Sequence, residues 1–231
     1  MSEEELEARI KTLENQIRAQ ENQLRTLQDI EEIKILQRAY GYYIEHWMSQ
    51  EIIDLFSDGP DVALTLGAGT YLGKEGVIKY FEHMDGTNPE FFHQVMQLSG
   101  IVHIDPDGKR AKGRWYGWGA VAIPKEKGVK QSFFSGIYVG EYVKEDGKWK
   151  IEKLRFDQKY NATPAEGWVK PERVIKIDQQ RDLPVLEPDI PRTFSPRYPS
   201  GYIFPFHYKH PVTGKETTEG ARNSSIEGVI T

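Results

Sequence analysis

Leu6, Ile10, Leu13, Ile17, Leu24 and Leu27 recur four and three residues apart at the start of the chain, with the polar Gln20 in the same register. That period predicts a helix over residues 1–28 with a narrow apolar seam. Isoleucine and leucine along the seam suit a short coiled coil between subunits, although the stripe also suits the protein's own body or a neighbour. A second helical period runs through Ile33, Leu36, Tyr40, Tyr43 and Trp47, with Asp29 as its N-cap. SQEIIDLFSDGPD reads as a short amphipathic turn, VALTLGAGTYLG as a strand and GKEGVIKYFEHM as a third helix. The texture then changes to strands over about 91–105, 111–123, 131–144 and 148–158, separated by the turn signals DPDGK, PKEKG and EDGK. Helices followed by hairpin-linked strands predict an α+β domain over residues 29–160, with a curved antiparallel sheet closed by helices.

Beyond residue 160 the periodicity stops. More than half of the 13 prolines lie between Pro184 and Pro211, yet FSPRYPSGYIFPFHYKHP is rich in aromatic rings. A disordered tail is poor in such rings, so residues 161–231 are expected to form an extended strap against a surface.

Composition narrows the partners and the chemistry. The net charge is −5 over 231 residues with acids and bases interspersed, which gives nucleic acid no basic face to bind. The absence of cysteine excludes disulfides, thiolate nucleophiles and sulfur-ligated zinc. The start of the chain is acidic and polar, and no apolar run is long enough to span a bilayer, so no membrane association and a cytoplasmic location are expected.

The candidate chemistry centres on NPEFFHQVMQLSG. Strand alternation predicts His93, Val95, Gln97, Ser99, Ile101 and His103 on one face, which mixes polar groups into an apolar wall and suits a lined pocket. Phe92, Met96, Leu98 and Val102 would then form the core face. The alternative is a solvent-facing side carrying two surface histidines. Glu45 stands among Tyr42, Tyr43 and Trp47, either as a solvated helix position or as a carboxylate that orients His93 and raises its basicity. Trp115, Tyr116, Trp118, Phe133, Phe134 and Tyr138 serve equally as core or as lining for an aromatic ligand. The glycines among them leave room for a flat ligand or for a bend in the sheet. GAGTYLG lacks the spacing and βαβ setting of a dinucleotide loop, and His207 with His210 lacks a third metal ligand, so turn and tail packing are expected there. No G-x-S-x-G elbow is present.

In order and spacing, RAYGYYIEHWMSQEIIDLF, YLGKEGVIKYF, FFHQVMQLSGIVHID and GKWKIEKLRF resemble the SnoaL-like branch of the nuclear-transport-factor-two-like superfamily. That branch includes polyketide cyclases, scytalone dehydratase, hexachlorocyclohexane dehydrochlorinase and a diarylpropane lyase. The resemblance implies a cone-shaped α+β barrel, a homo-oligomer with a trimer favoured, and acid/base chemistry without cofactor or metal. It also implies a catalytic set of Glu45, His93, Tyr40 and Arg155, with Tyr43, Trp47, Gln97, His103, Trp115, Tyr116, Trp118, Phe133 and Tyr138 around a small aromatic substrate. Gln97 stands where the relatives carry asparagine, Glu45 where they carry aspartate and Tyr40 where the dehydrochlorinase carries lysine. The loss of that lysine points away from dehydrochlorination and toward a leaving oxygen that a phenol can protonate. The specific expectation is a lyase that converts a lignin-derived diarylpropane diol to a stilbene and formaldehyde. A dehydratase or cyclase on another aromatic or polyketide substrate, and a non-catalytic ligand-binding protein, are the alternatives.

Overall fold

A computed structural model describes residues 2–46, 48–82, 92–126, 128–165, 188–191 and 207. Helix α1 runs unbroken from Glu3–Glu45 and starts at a capping box, in which Ser2 Oγ accepts from Glu5 N and Glu5 reaches back to Ser2 N. The two predicted helices are therefore one, because no glycine or proline interrupts residues 28–30. Asp29 is not an N-cap. It is the first buried residue of α1 and accepts hydrogen bonds from Trp149 Nε1 at 2.9 Å and Lys144 Nζ at 2.5 Å. Upstream of it the helix is exposed throughout; downstream, Ile33, Gln37, Tyr40, Gly41 and Ile44 face the body.

The remaining elements are α2 (Ser49–Asp54), β1 (Ala63–Thr65), β2 (Gly69–Leu72), α3 (Gly73–Phe81), β3 (Phe92–Ile104), β4 (Arg110–Pro124), β5 (Val129–Glu145), β6 (Lys148–Ala162) and β7 (Ile190–Pro191). The four long strands form at the predicted places, joined by tight turns. In the last of these, Asp146 and Gly147 both take positive φ, the two-residue geometry that matches strand twist. The sheet order is β3-β4-β5-β6-β1-β2-β7, with β1 parallel to β6 and the other neighbours antiparallel. α1 touches both β3 and β6, three strands apart, so the sheet curves around the helix, and its end strands remain unpaired with each other. The fold is a curved, open α+β cone.

Register assigns the two faces. Tyr138 opposes Trp115 on one side and Phe156 on the other, Gly140 opposes Leu154, and Tyr142 opposes Ala111 and Ile151. These residues form the inner face and its core. Helix α1 approaches β3 closely at Gly41, where a Cβ would lie 3.0 Å from the Val95 carbonyl and 3.1 Å from Gln97 Cγ.

β3 departs from simple alternation. Ser99 adopts φ 52°, and pairing with β4 shifts between Leu98 and Ile101. This bulge re-aims the strand. His93, Val95 and Gln97 face inward, but beyond the bulge it is Val102 that points inward, while Ile101 and His103 are exposed. The expectation that Phe92 and Leu98 are core is thus reversed: they are 52% and 43% exposed on the outer face.

Two described points of the C-terminal segment are anchored. β7 pairs with β2, and Asp189 Oδ2 accepts from Leu72 N at 2.9 Å. His207 Nε2 lies 3.1 Å from His103 Nδ1 on the outer face of β3. The rest of the expected strap, including His210, lies outside the described residues. Burial, reinforced by the charges of His103, Arg114 and Lys112, pushes the His207 imidazole down to about 4 from 6.5. The undocked segment therefore takes up a proton below pH 6.5 that the docked ring resists, so the contribution of His207 to docking is full above that pH and is lost as pH falls toward 4. The expected result is a His207 ring signal that titrates far below pH 6.5 by NMR, with protease access to the adjoining chain rising over the same window. An ordinary histidine titration contradicts the docking.

Candidate functional site

The inner face of β3 carries His93 to the end of α1. There the ring Nδ1 lies 3.2 Å from the backbone carbonyl of Ile44. A carbonyl only accepts, so Nδ1 carries the proton, and in the neutral ring Nε2 holds the lone pair. In a continuing helix Ile44 O would accept from Met48 N, but that amide bonds Tyr43 O at 3.1 Å instead. His93 thus donates to one of the last carbonyls of α1, beside the His46 N–H that caps the helix. The last turn of α1 contains no basic residue, so the imidazole occupies the position where positive charge complements the helix dipole.

Rings continue from His93 along the inner face. Phe134 stacks on His93 with centroids 5.9 Å apart and planes at 18°, and then meets Phe156 edge-on at 6.3 Å. Phe156 packs against Tyr138 at 4.4 Å, and Tyr138 against Tyr40 at 6.0 Å. Glycines make this row possible: a Cβ at Gly117 would fall 2.6 Å from the Tyr138 ring, and one at Gly136 2.6 Å from Phe156. The space expected beside these glycines is filled by the protein's own rings.

A buried polar line runs beside them. Trp115 Nε1 donates to Tyr142 Oη at 3.0 Å, Tyr142 Oη donates to Gln37 Oε1 at 2.7 Å, and Gln37 Nε2 donates to Gln97 Oε1 at 3.1 Å. Gln97 Nε2 is buried and completes no hydrogen bond of good geometry. It lies near the Tyr138 phenol, which also meets the Tyr40 phenol. Burial, followed by the charge of neighbouring phenols, drives Tyr40 well above its ordinary value, and burial does the same for Tyr138 and Tyr142. All three stay protonated as hydrogen-bond donors near neutral pH.

Of the predicted site residues, His93, Gln97, Tyr40, Trp115 and Tyr138 share the inner face, and Tyr43 packs half-buried against the core. Glu45 is half-buried one residue beyond Ile44, but the group at His93 Nδ1 is the Ile44 backbone and not the Glu45 carboxylate. Trp47 lies outside the described residues. Arg155 is on the opposite face from Tyr138 and Phe156, opposite Val139, with its Nε 2.9 Å from Asp157 Oδ2. Tyr116 and Trp118 also face outward: Tyr116 is 48% exposed beneath Lys159, and Trp118 stacks on the outward Phe133. His103 is outside as well. The two-residue alternation of β4 already separates Trp115 from Tyr116 and Trp118. Gln37, Phe156 and the Ile44 carbonyl were not predicted; for Gln37 the signal was its place one turn before Tyr40 on the apolar stripe. Among the described residues no group of three or more histidines or carboxylates is arranged to hold a metal ion, and no described helix is long and apolar enough to cross a membrane.

The model of the SnoaL-like domain matches residues 25–155, more than half of the chain, which therefore belongs to this family. No curated protein matches the chain. Among solved structures it is similar to the dehydrochlorinase LinA, at 18% identity over 64% of this chain and 98% of the other, with a TM-score of 0.53. It is similar to LinA-type3 of Novosphingobium barchaimii at 20% identity over 64% and 99%, with a TM-score of 0.50. A candidate scytalone dehydratase of Novosphingobium aromaticivorans aligns at 18% identity over 63% and 92%, with a TM-score of 0.52. At these identities the likeness concerns the fold.

Proposed function

We propose that this SnoaL-like chain is a lyase that works by acid/base chemistry on an aromatic alcohol, with His93 as the base and no cofactor. The observation that carries the reading is the Ile44 carbonyl at His93 Nδ1, which places the lone pair of the neutral ring on Nε2. Glu45 at the same helix end offsets the imidazolium that forms. Gln97 Nε2, a buried donor lacking an acceptor of good geometry, is on the same face of β3 and suits a substrate oxygen. Phe134 and Phe156 offer aromatic faces to a ring. Arg155 has no part in this step, since it faces away.

The proposed substrate is a para-phenolic 1,2-diarylpropane-1,3-diol. The benzylic hydroxyl leaves as water, protonated by a phenol on α1, Tyr40 or Tyr43, while the substrate's para-phenol gives its proton to solvent, so that a neutral quinone methide forms. His93 Nε2 then takes the proton of the primary hydroxyl, the carbon–carbon bond breaks, and formaldehyde departs as the electron pair restores the aromatic ring and forms the stilbene. The product phenolate takes a proton back from solvent and His93 returns its proton to the tyrosinate, so one diol gives one stilbene, one water and one formaldehyde. Incubating the protein with this diol is expected to release formaldehyde and stilbene in equal amounts, while the para-methoxy analogue, which forms no quinone methide, stays intact. Loss of water without formaldehyde overturns the deformylation and makes the protein a dehydratase; turnover of the methoxy analogue overturns the quinone methide.

A further inference from the structure

The first 26 residues of α1 stand away from the body. The whole helix has 43 residues and is about 65 Å long at ~1.5 Å per residue. Every described side chain from Ser2 to Gln28 is exposed, including Leu6, Ile10, Leu13, Ile17, Leu24 and Leu27, which are 45–65% exposed. The helix cannot fold this stripe back on its own body, because it is continuous into the segment that packs on β3. An isolated stripe of this kind is stable only when a partner covers it.

The side chains specify that partner. With Leu6 at a heptad d position, Ile10, Ile17 and Leu24 fall at a and Leu13, Gln20 and Leu27 at d. β-Branched residues at a with leucine at d favour two parallel strands over three or four. Charge gives the direction independently. The e positions are Glu7, Glu14 and Glu21, and the g positions Arg9, Gln16 and Gln23. In a parallel pair each g residue meets the e residue of the partner's next heptad, so Arg9 faces Glu14 twice by symmetry. In an antiparallel pair e faces e, which sets glutamates against glutamates.

We infer that residues 3–28 form a parallel two-stranded coiled coil with a second copy of this chain. The seam ends at Leu27, and two residues later Asp29 begins the stretch of α1 that docks on the body, so both bodies lie at the same end of the coil. The helix that joins the subunits also presents the Ile44 carbonyl to His93. Two copies of the site are therefore tied to one rigid dimer axis, and the trimer implied by family resemblance is not what this seam encodes.

Sedimentation of the full chain tests the pairing. Wild type is expected at twice the 26.6 kDa chain mass, and Ile10→Lys with Ile17→Lys is expected at the monomer mass with its near-UV spectrum intact. Arg9→Glu is expected to weaken the dimer roughly tenfold, and adding Glu14→Arg is expected to restore it. Since the chain lacks cysteine, Leu6→Cys is expected to give a disulfide-linked dimer on mild oxidation, which only the parallel direction allows. A monomeric or trimeric wild type, a dimer that survives both lysines, or a Leu6→Cys chain that fails to cross-link overturns the inference.

Discussion

His93→Ala is expected to lower the turnover rate by about 10²–10⁴, the usual contribution of a positioned general base. The ring stacks on Phe134 and donates to Ile44 O, so a purely structural histidine would also matter, through the placement of the end of α1. His93→Asn separates the two roles. An asparagine amide donates from nearly the position of Nδ1 and preserves the bond to the helix end, but it has no basic nitrogen to take a proton. Both variants are expected to lose the same activity, with His93→Asn closer to wild type in thermal stability. Activity restored by asparagine would assign His93 to architecture alone.

Asp29→Ala is expected to cost about 3 kcal/mol, the scale for removing one partner of a buried charged hydrogen bond. Asp29 is 3% exposed and satisfies both Trp149 Nε1 and Lys144 Nζ. Alanine strands the indole N–H inside the core and frees a lysine whose Nζ lies 5.4 Å from the Trp149 ring centroid. For a chain of this size the loss corresponds to a melting temperature lower by roughly 6–12 °C. Asp29→Asn keeps an acceptor for Trp149 and is expected to fall about halfway. Thermal unfolding followed by circular dichroism reads both; a shift within 1–2 °C for alanine, below the ~2–4 °C expected per kcal/mol, would contradict the role.

The elements were legible wherever their signals were local. Turn residues bracketed β3 to β6, and the helical period carried α3. What the sequence did not reveal depended on partners distant in the chain. Asp29 resembles a cap by residue type, and only the lysine and tryptophan of the β5–β6 hairpin make it a buried acceptor. The Ser99 bulge moved His103 to the outer face, and nothing in an alternating pattern announces such a slip. Arg155 illustrates the converse, because counting two residues at a time from Leu154 and Phe156 would have placed it outside. Of the candidate pair, His93 stands out in the sequence by residue type, whereas the group that its Nδ1 meets is a backbone carbonyl that every residue possesses.

The catalytic reading and the dimer inference meet in α1, whose N-terminal half supplies the seam and whose last carbonyls hold the imidazole. In the proposed reaction the base is set in position by a rigid element instead of by a mobile side chain, which lowers the reorganisation that proton transfer requires. The measurement that tests this directly is the ¹⁵N spectrum of the His93 ring in the wild-type protein at a pH where the ring is neutral. A protonated Nδ1 and an Nε2 shift characteristic of an unprotonated ring nitrogen are expected. The opposite tautomer, with the proton on Nε2, would contradict it, because a ring so protonated neither donates to Ile44 O nor offers Nε2 as a base.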